Sequence, residues 1–177
     1  HTSLNIAETM AAYLVMGPKG RAVEVKIFEG LFLTADFNKH TEGRTYILPD
    51  NAERLLGRSG QSIQNLFKSY GQLIKLEDPE FEKYFAVYST DQIEARYILS
   101  PSLMRNLLEF RKEVGTEVFV SFIDGKMYLG LSNGALIRNI NLYRAITSET
   151  LTAPFSDLIA LHKLVDRSLT TRIWTKE

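Results

Sequence analysis

The run Glu117-Val118-Phe119-Val120-Ser121-Phe122-Ile123-Asp124-Gly125-Lys126-Met127-Tyr128-Leu129-Gly130-Leu131 decides how this chain folds. Asp-Gly between two alternating runs signals a two-residue type I′ turn, whose backbone twist matches that of the strands it joins. Counting outward from the turn pairs Phe122 with Met127, Val120 with Leu129 and Val118 with Leu131. Successive strand residues point to opposite faces, so these side chains share one face, and its uniformly apolar character marks it as the buried one. On the other face Phe119 lies across from Gly130 and Ser121 across from Tyr128, a mixed surface suited to partial exposure.

Upstream, Met10–Val15 and Ala22–Phe28 flank Gly17-Pro18-Lys19-Gly20, which reads as another hairpin turn. The second arm alternates, with Val23, Val25 and Ile27 on one face and Glu24 and Lys26 on the other. Gly30, just before Leu31-Phe32-Leu33, suggests a bulge or a close backbone approach. Thr41-Glu42-Gly43 turns the chain into a strand from Arg44 to Leu48, stopped by Pro49. Together these make a small antiparallel sheet.

Helical signals follow. Asp50 and Glu53 have capping-box spacing, and Gly57 and Gly60 break the first turn. Ile63, Leu66, Phe67 and Tyr70 then recur at helical spacing, Gly71 is placed as a stop, and Leu73–Leu76 reads as a short strand. Tyr84, Phe85, Val87 and Tyr88 form an aromatic strand. Asp91 and Glu94 make a second candidate capping box, with Tyr97 and Ile98 expected to pack inward and Arg96 to pair with an acid. Ser100-Pro101 opens a helix that runs to Val114, with an apolar stripe of Leu103, Met104, Leu107, Leu108 and Val114, and Gly115 ends it. Pro154–Leu169 is the last helix. The class is therefore α+β, mainly antiparallel sheet with several helices. It is read as a single domain over 1–177, compact or in two lobes, with a sheet-rich part to about residue 50 and a helix and hairpin part from about 51.

Composition narrows the chemistry. The chain has 177 residues, 45% hydrophobic and 24% charged, the profile of an ordinary globular protein with ample core. Lys plus Arg and Asp plus Glu are both 21, so no basic excess points to nucleic acid. The absence of cysteine rules out disulfides, thiolate metal sites and cysteine nucleophiles. No apolar run is long enough to cross a bilayer. The histidines, His1, His40 and His162, lack metal-ligand spacing, and no metal or cofactor is expected. A turn histidine, and a helix histidine paired with Asp166, account for the two internal ones.

Gly57-Arg58-Ser59-Gly60-Gln61 begins like a nucleophile elbow but lacks its last glycine. The bland reading is a helix break. The functional alternative is that Arg58, Ser59, Gly60 and Ser62, ahead of a helix, hold a phosphate or lipid headgroup on backbone N–H groups. Tyr84, Tyr88 and Tyr128 could line a groove, although tyrosines more often supply core mass. No catalytic residue is nominated.

Asp78 to Pro101, and the run Phe28-Glu29-Gly30-Leu31-Phe32-Leu33-Thr34-Ala35-Asp36-Phe37-Asn38-Lys39, resemble a bacterial family known as domain of unknown function 3137. The resemblance runs from about Val25 to the closing Thr171-Arg172-Ile173-Trp174-Thr175-Lys176. It implies one or two hydrophobic helices ahead of this domain, anchoring it at the cytoplasmic face of a bacterial inner membrane. His1-Thr2-Ser3 in place of an initiator Met fits the expectation of an excised piece. The expected function is a non-catalytic recognition or scaffolding domain acting on a protein partner or a membrane surface. The alternatives are a pleckstrin-like phospholipid or phosphate module using Arg58 and the Lys19-Gly20-Arg21 loop, and an enzyme of unfamiliar type.

Overall fold

The computed structural model describes residues 4–17, 20–36, 41–52, 68–132 and 156–169. The architecture is α+β, built on one antiparallel sheet of seven strands among the described residues. In chain order the strands are β1 (Leu4–Met16), β2 (Ala22–Asp36), β3 (Thr45–Pro49), β4 (Gln72–Ile74), β5 (Phe85–Ser89), β6 (Val118–Ile123) and β7 (Lys126–Ser132). The helices are α1 (Pro79–Glu82), α2 (Gln92–Ile98), α3 (Pro101–Val114) and α4 (Ser156–Leu169).

The spatial order β1-β2-β7-β6-β3-β5-β4 places the Asp124-Gly125 hairpin at the centre of the sheet. The N-terminal strands therefore form no sheet of their own. β7 pairs with β2 and β6 with β3, so the hairpin bridges them. Asp124 at φ 50° and Gly125 at φ 70° supply the two positive φ values that a type I′ turn demands. The register is the one counted from the turn, with Val118 opposite Leu131, Val120 opposite Leu129 and Phe122 opposite Met127.

Those side chains are buried together with Leu31, Leu33 and Ile47 of the flanking strands. Helices α2, α3 and α4 cover this face through Ile98, Leu107, Phe110, Leu161 and Leu164. Helix α3 has the expected bounds: the Ser100 hydroxyl caps the Leu103 N–H, Pro101 opens the first turn, and Gly115 at φ 67° ends it. Exposed ion pairs Lys163–Glu113 (3.1 Å) and Arg167–Glu109 (3.6 Å) run along the seam between α3 and α4.

Four local expectations are corrected. The bulge in β2 is not at Gly30, which pairs regularly with Thr9 and Ser132. The register shifts where Phe28 faces Ala11 and Lys26 faces Ala12, leaving Ile27 as the extra residue. Next, Asp91 caps α2 by accepting from the N–H groups of Ile93 and Glu94, but Glu94 does not reach back. Its carboxylate accepts instead from the N–H groups of Glu42 and Gly43, at 2.9 and 3.2 Å, tying the entry to β3 onto α2. Finally, Tyr97 is 65% exposed, because α2 turns Ala95 and Ile98 to the core and leaves Ile93 and Tyr97 on its outer side. Arg96 meets no acid among the described residues; it donates to the Lys75 carbonyl at 2.8 Å.

Candidate binding cleft on the second face of the sheet

The alternation that buries one face delivers a different set of side chains to the other. Tyr46 lies opposite Ser121, and Ser121 opposite Tyr128. Gly130 sits between Phe119 and Phe32. The result is a row of aromatic rings separated by residues with little or no side chain.

The spaces between the rings form a cleft of about 270 Å³. Thr9 and Ala11 of β1 and Phe28 and Phe32 of β2 wall one side. Tyr46 and Leu48 of β3 wall the other, with Phe119, Ser121, Tyr128 and Gly130 of the central hairpin between them. Phe28 meets Phe119 edge to face, with centroids 6.2 Å apart, and Phe32 lies 6.1 Å from Tyr128. Tyr46 is stacked more closely against Tyr70, at 4.4 Å. Gly130 is needed for this packing: a Cβ there would lie 3.2 Å from the Phe28 ring, which would have to shift. Phe32 stays 37% exposed at the rim.

Among the described residues the polar groups of the lining are hydroxyls, from Thr9, Ser121, Tyr46 and Tyr128. Lys26 is held above the usual lysine range by its hydrogen bond to Glu29, and Lys112 by its bond to Glu80. Both lysines are surface groups away from the cleft. Such a lining can sequester apolar groups and orient them by a few hydroxyl hydrogen bonds.

A larger hollow of about 470 Å³ lies beside α2, between Leu76, Pro79, Leu99 and Met104. Two of its charged side chains, Asp78 and Arg96, already have structural tasks. Asp78 caps α1 by accepting from Glu80 and Phe81, and Arg96 holds the Lys75 carbonyl. No group of His, Asp or Glu side chains among the described residues is placed to share a metal ion. No described helix is long and apolar enough to cross a membrane.

Arg58, Ser59, Gly60 and Ser62 lie outside the described residues, as do Lys19, His1 and His40. His162 is exposed on α4. Of the three tyrosines considered for a groove, Tyr128 lines the cleft. Tyr88 packs beside Leu48 on the same face, and Tyr84 lies under the Lys112 ammonium, 5.7 Å from its ring centroid. Phe28, Phe32, Tyr46 and Phe119 were not anticipated as lining residues. Hairpin counting puts Phe119 on the second face, but β2 and β3 become its neighbours only through long-range pairing.

Residues 26–168 match the model of a family described as protein of unknown function (DUF3137). The chain belongs to that family. The matched segment holds every described lining residue of the cleft except Thr9 and Ala11. Comparison with curated proteins found no match, and neither did comparison with solved structures.

Proposed function

We propose that this domain is a non-catalytic recognition element whose aromatic cleft takes apolar side chains from a segment of a partner protein. The observation that carries the reading is the cleft's lining of rings and hydroxyls. Its volume of about 270 Å³ is smaller than the roughly 300–1,000 Å³ of sites that enclose a whole small molecule. It suits the anchor side chains that carry most of the energy of a protein interface, which sit in small desolvated pockets. The resemblance to membrane-anchored bacterial proteins supports a position at the cytoplasmic face of the inner membrane, where such an anchor would meet partners in the same membrane.

A photo-crosslinking residue placed at Phe32 in the full-length membrane protein tests this in cells, with Lys163 on α4 as the control position. Phe32 should capture a defined partner and Lys163 should not. Ser121→Phe, which fills the cleft from within, should abolish the capture while the domain stays folded. Turnover of a substrate by the isolated domain, lost on changing one lining residue, would refute the reading. So would tight headgroup-specific liposome binding that Ser121→Phe leaves intact.

A further inference from the structure

The register of the sheet sorts the second face into two neighbouring rows. Thr34, Tyr128, Ser121 and Tyr46 lie in line across β2, β7, β6 and β3, and each carries a hydroxyl. Two residues along the strands, Phe32, Gly130 and Phe119 lie in line across β2, β7 and β6, and none has a polar side-chain atom. Neighbours within a row stand roughly 4.8 Å apart, and the rows are separated by roughly 6.8 Å along the strand. A single side chain entering between them therefore touches both.

The aromatic members of these rows make the walls of the cleft, and the two small ones, Ser121 and Gly130, make its floor. Gly130 contributes backbone alone. Ser121 is half-buried and contributes one short hydroxyl, held at the level of the sheet between the Tyr46 and Tyr128 positions. Among the described residues no group hydrogen-bonds to that hydroxyl, so the open cleft leaves it to water. A group that fills the cleft strips the water away. A polar atom desolvated without a partner weakens a complex more than one made hydrogen bond strengthens it.

We infer that Ser121 selects the side chain that anchors in the cleft, and that this anchor is an aromatic ring with a polar tip, a tyrosine or a tryptophan. The inference rests on the recognition role proposed above and names the chemistry of the partner. The ring belongs beside the apolar row. Phe28 and Phe119 meet at 87° and Phe32 lies at 32° to Tyr128, so the walls present both edges and faces, the two surfaces against which a further ring packs best. The tip belongs to the hydroxyl row. A serine hydroxyl both donates and accepts, so it answers a phenol O–H and an indole N–H alike. Leucine or phenylalanine would fill the same space and leave Ser121 unanswered. A charged anchor would meet no opposite charge among the described lining residues. A site built around a polar group rejects an analogue lacking the matching group far more strongly than an apolar pocket discriminates by size.

N-acetyl-tyrosinamide and N-acetyl-phenylalaninamide differ by one hydroxyl, so titrating each into the isotope-labelled 177-residue chain and following amide NMR shifts isolates its effect. Both should move the amides of Phe119, Ser121 and Gly130, and the tyrosine derivative should bind roughly tenfold tighter. Ser121→Ala removes the floor hydroxyl with little change in volume. The preference should then collapse to near equality, because the tyrosine derivative loses a partner and the phenylalanine derivative no longer strands one. A residue that only shapes the cleft would weaken both probes together. Gly130→Ala, whose new Cβ presses on the Phe28 ring, is the control of that kind and should lower both affinities while leaving their ratio unchanged. Equal binding of the two probes to the unaltered chain, or a preference that survives Ser121→Ala, would overturn the inference and leave the cleft as a recognition site. Probes that move no amide of the cleft would overturn the recognition reading and the inference with it.

Discussion

Phe119 and Phe122 lie three residues apart on β6 but on opposite faces of the sheet, and truncating each to alanine weighs the two faces against each other. Phe122 is fully buried between Met127 and Thr45, beneath the helices. Removing its ring loses the transfer free energy and leaves a cavity in a close-packed core, a combination that costs roughly 3–5 kcal/mol. Phe119 is half-buried in the cleft wall, edge-on to Phe28. Its removal enlarges a space already open to water, so no dry cavity forms. The loss is part of a burial term of about 1.5–3 kcal/mol plus one aromatic contact, or roughly 1–2 kcal/mol in total. For a domain of this size about 2–4 °C of melting temperature follows each kcal/mol, so the expected drops are about 6–20 °C for Phe122→Ala and about 2–8 °C for Phe119→Ala. Urea unfolding followed by far-UV circular dichroism gives both free energies, provided the slope with denaturant is the same in each variant. If Phe119→Ala costs as much as Phe122→Ala, the second face is itself a closed core. The cleft, and the recognition role built on it, would then fail.

Glu94→Ala strips the acceptor from the Glu42 and Gly43 N–H groups and should cost about 1–2 kcal/mol, with faster hydrogen exchange at both amides. Gly71→Ala should cost about 3 kcal/mol or more by the same urea assay, since the residue sits at φ +102° and an added Cβ would lie 2.2 Å from the Ser89 carbonyl oxygen. Lys112 is held above its usual range of 10.5 by the hydrogen bond to Glu80, at 2.7 Å. A raised folded-state value means this small contribution is whole below about pH 10.5 and is lost as pH rises through the folded value. Urea midpoints followed upward from about pH 9 should therefore fall less steeply in Glu80→Gln.

Much of the fold is legible locally. The Asp124-Gly125 turn fixes the register of β6 and β7 because a two-residue loop leaves one way to pair the strands, and burial follows from alternation. Helix α3 is legible for the same reason: Ser100, Pro101 and Gly115 each act on backbone groups within a few residues. What is hidden depends on partners far along the chain. The Glu94 carboxylate has the right spacing to reach back to its own cap, but the bonding partners that win it are 51 and 52 residues away. Tyr97 looks apolar enough to pack inward, yet α2 has only seven residues and spends its inner face on Ala95 and Ile98. The cleft is hidden in the same way, since Phe28, Phe32 and Tyr46 acquire a common wall only after β2 and β3 flank the central hairpin.

The origin of the cleft also constrains what it can do. On the helix-covered face, opposed residues such as Val120 and Leu129, or Leu31 and Leu131, are branched aliphatics that fill the space between strands. On the second face rings alternate with Gly130, Ser121, Thr9 and Ala11, which are too small to fill the gaps between aromatic planes. The concavity is therefore cut by residue size on paired strands rather than by a loop, and the backbone that shapes it is held by ladder hydrogen bonds on both sides of β2, β7, β6 and β3. A site of this kind is preformed. Little conformational entropy remains to be lost at the wall when a partner side chain enters, so more of the apolar burial is left to appear as affinity. The orienting groups are four hydroxyls rather than fixed charges, which suits selection by shape and apolar content and predicts binding that is nearly independent of ionic strength. Strong weakening by salt would place the determinants outside the cleft.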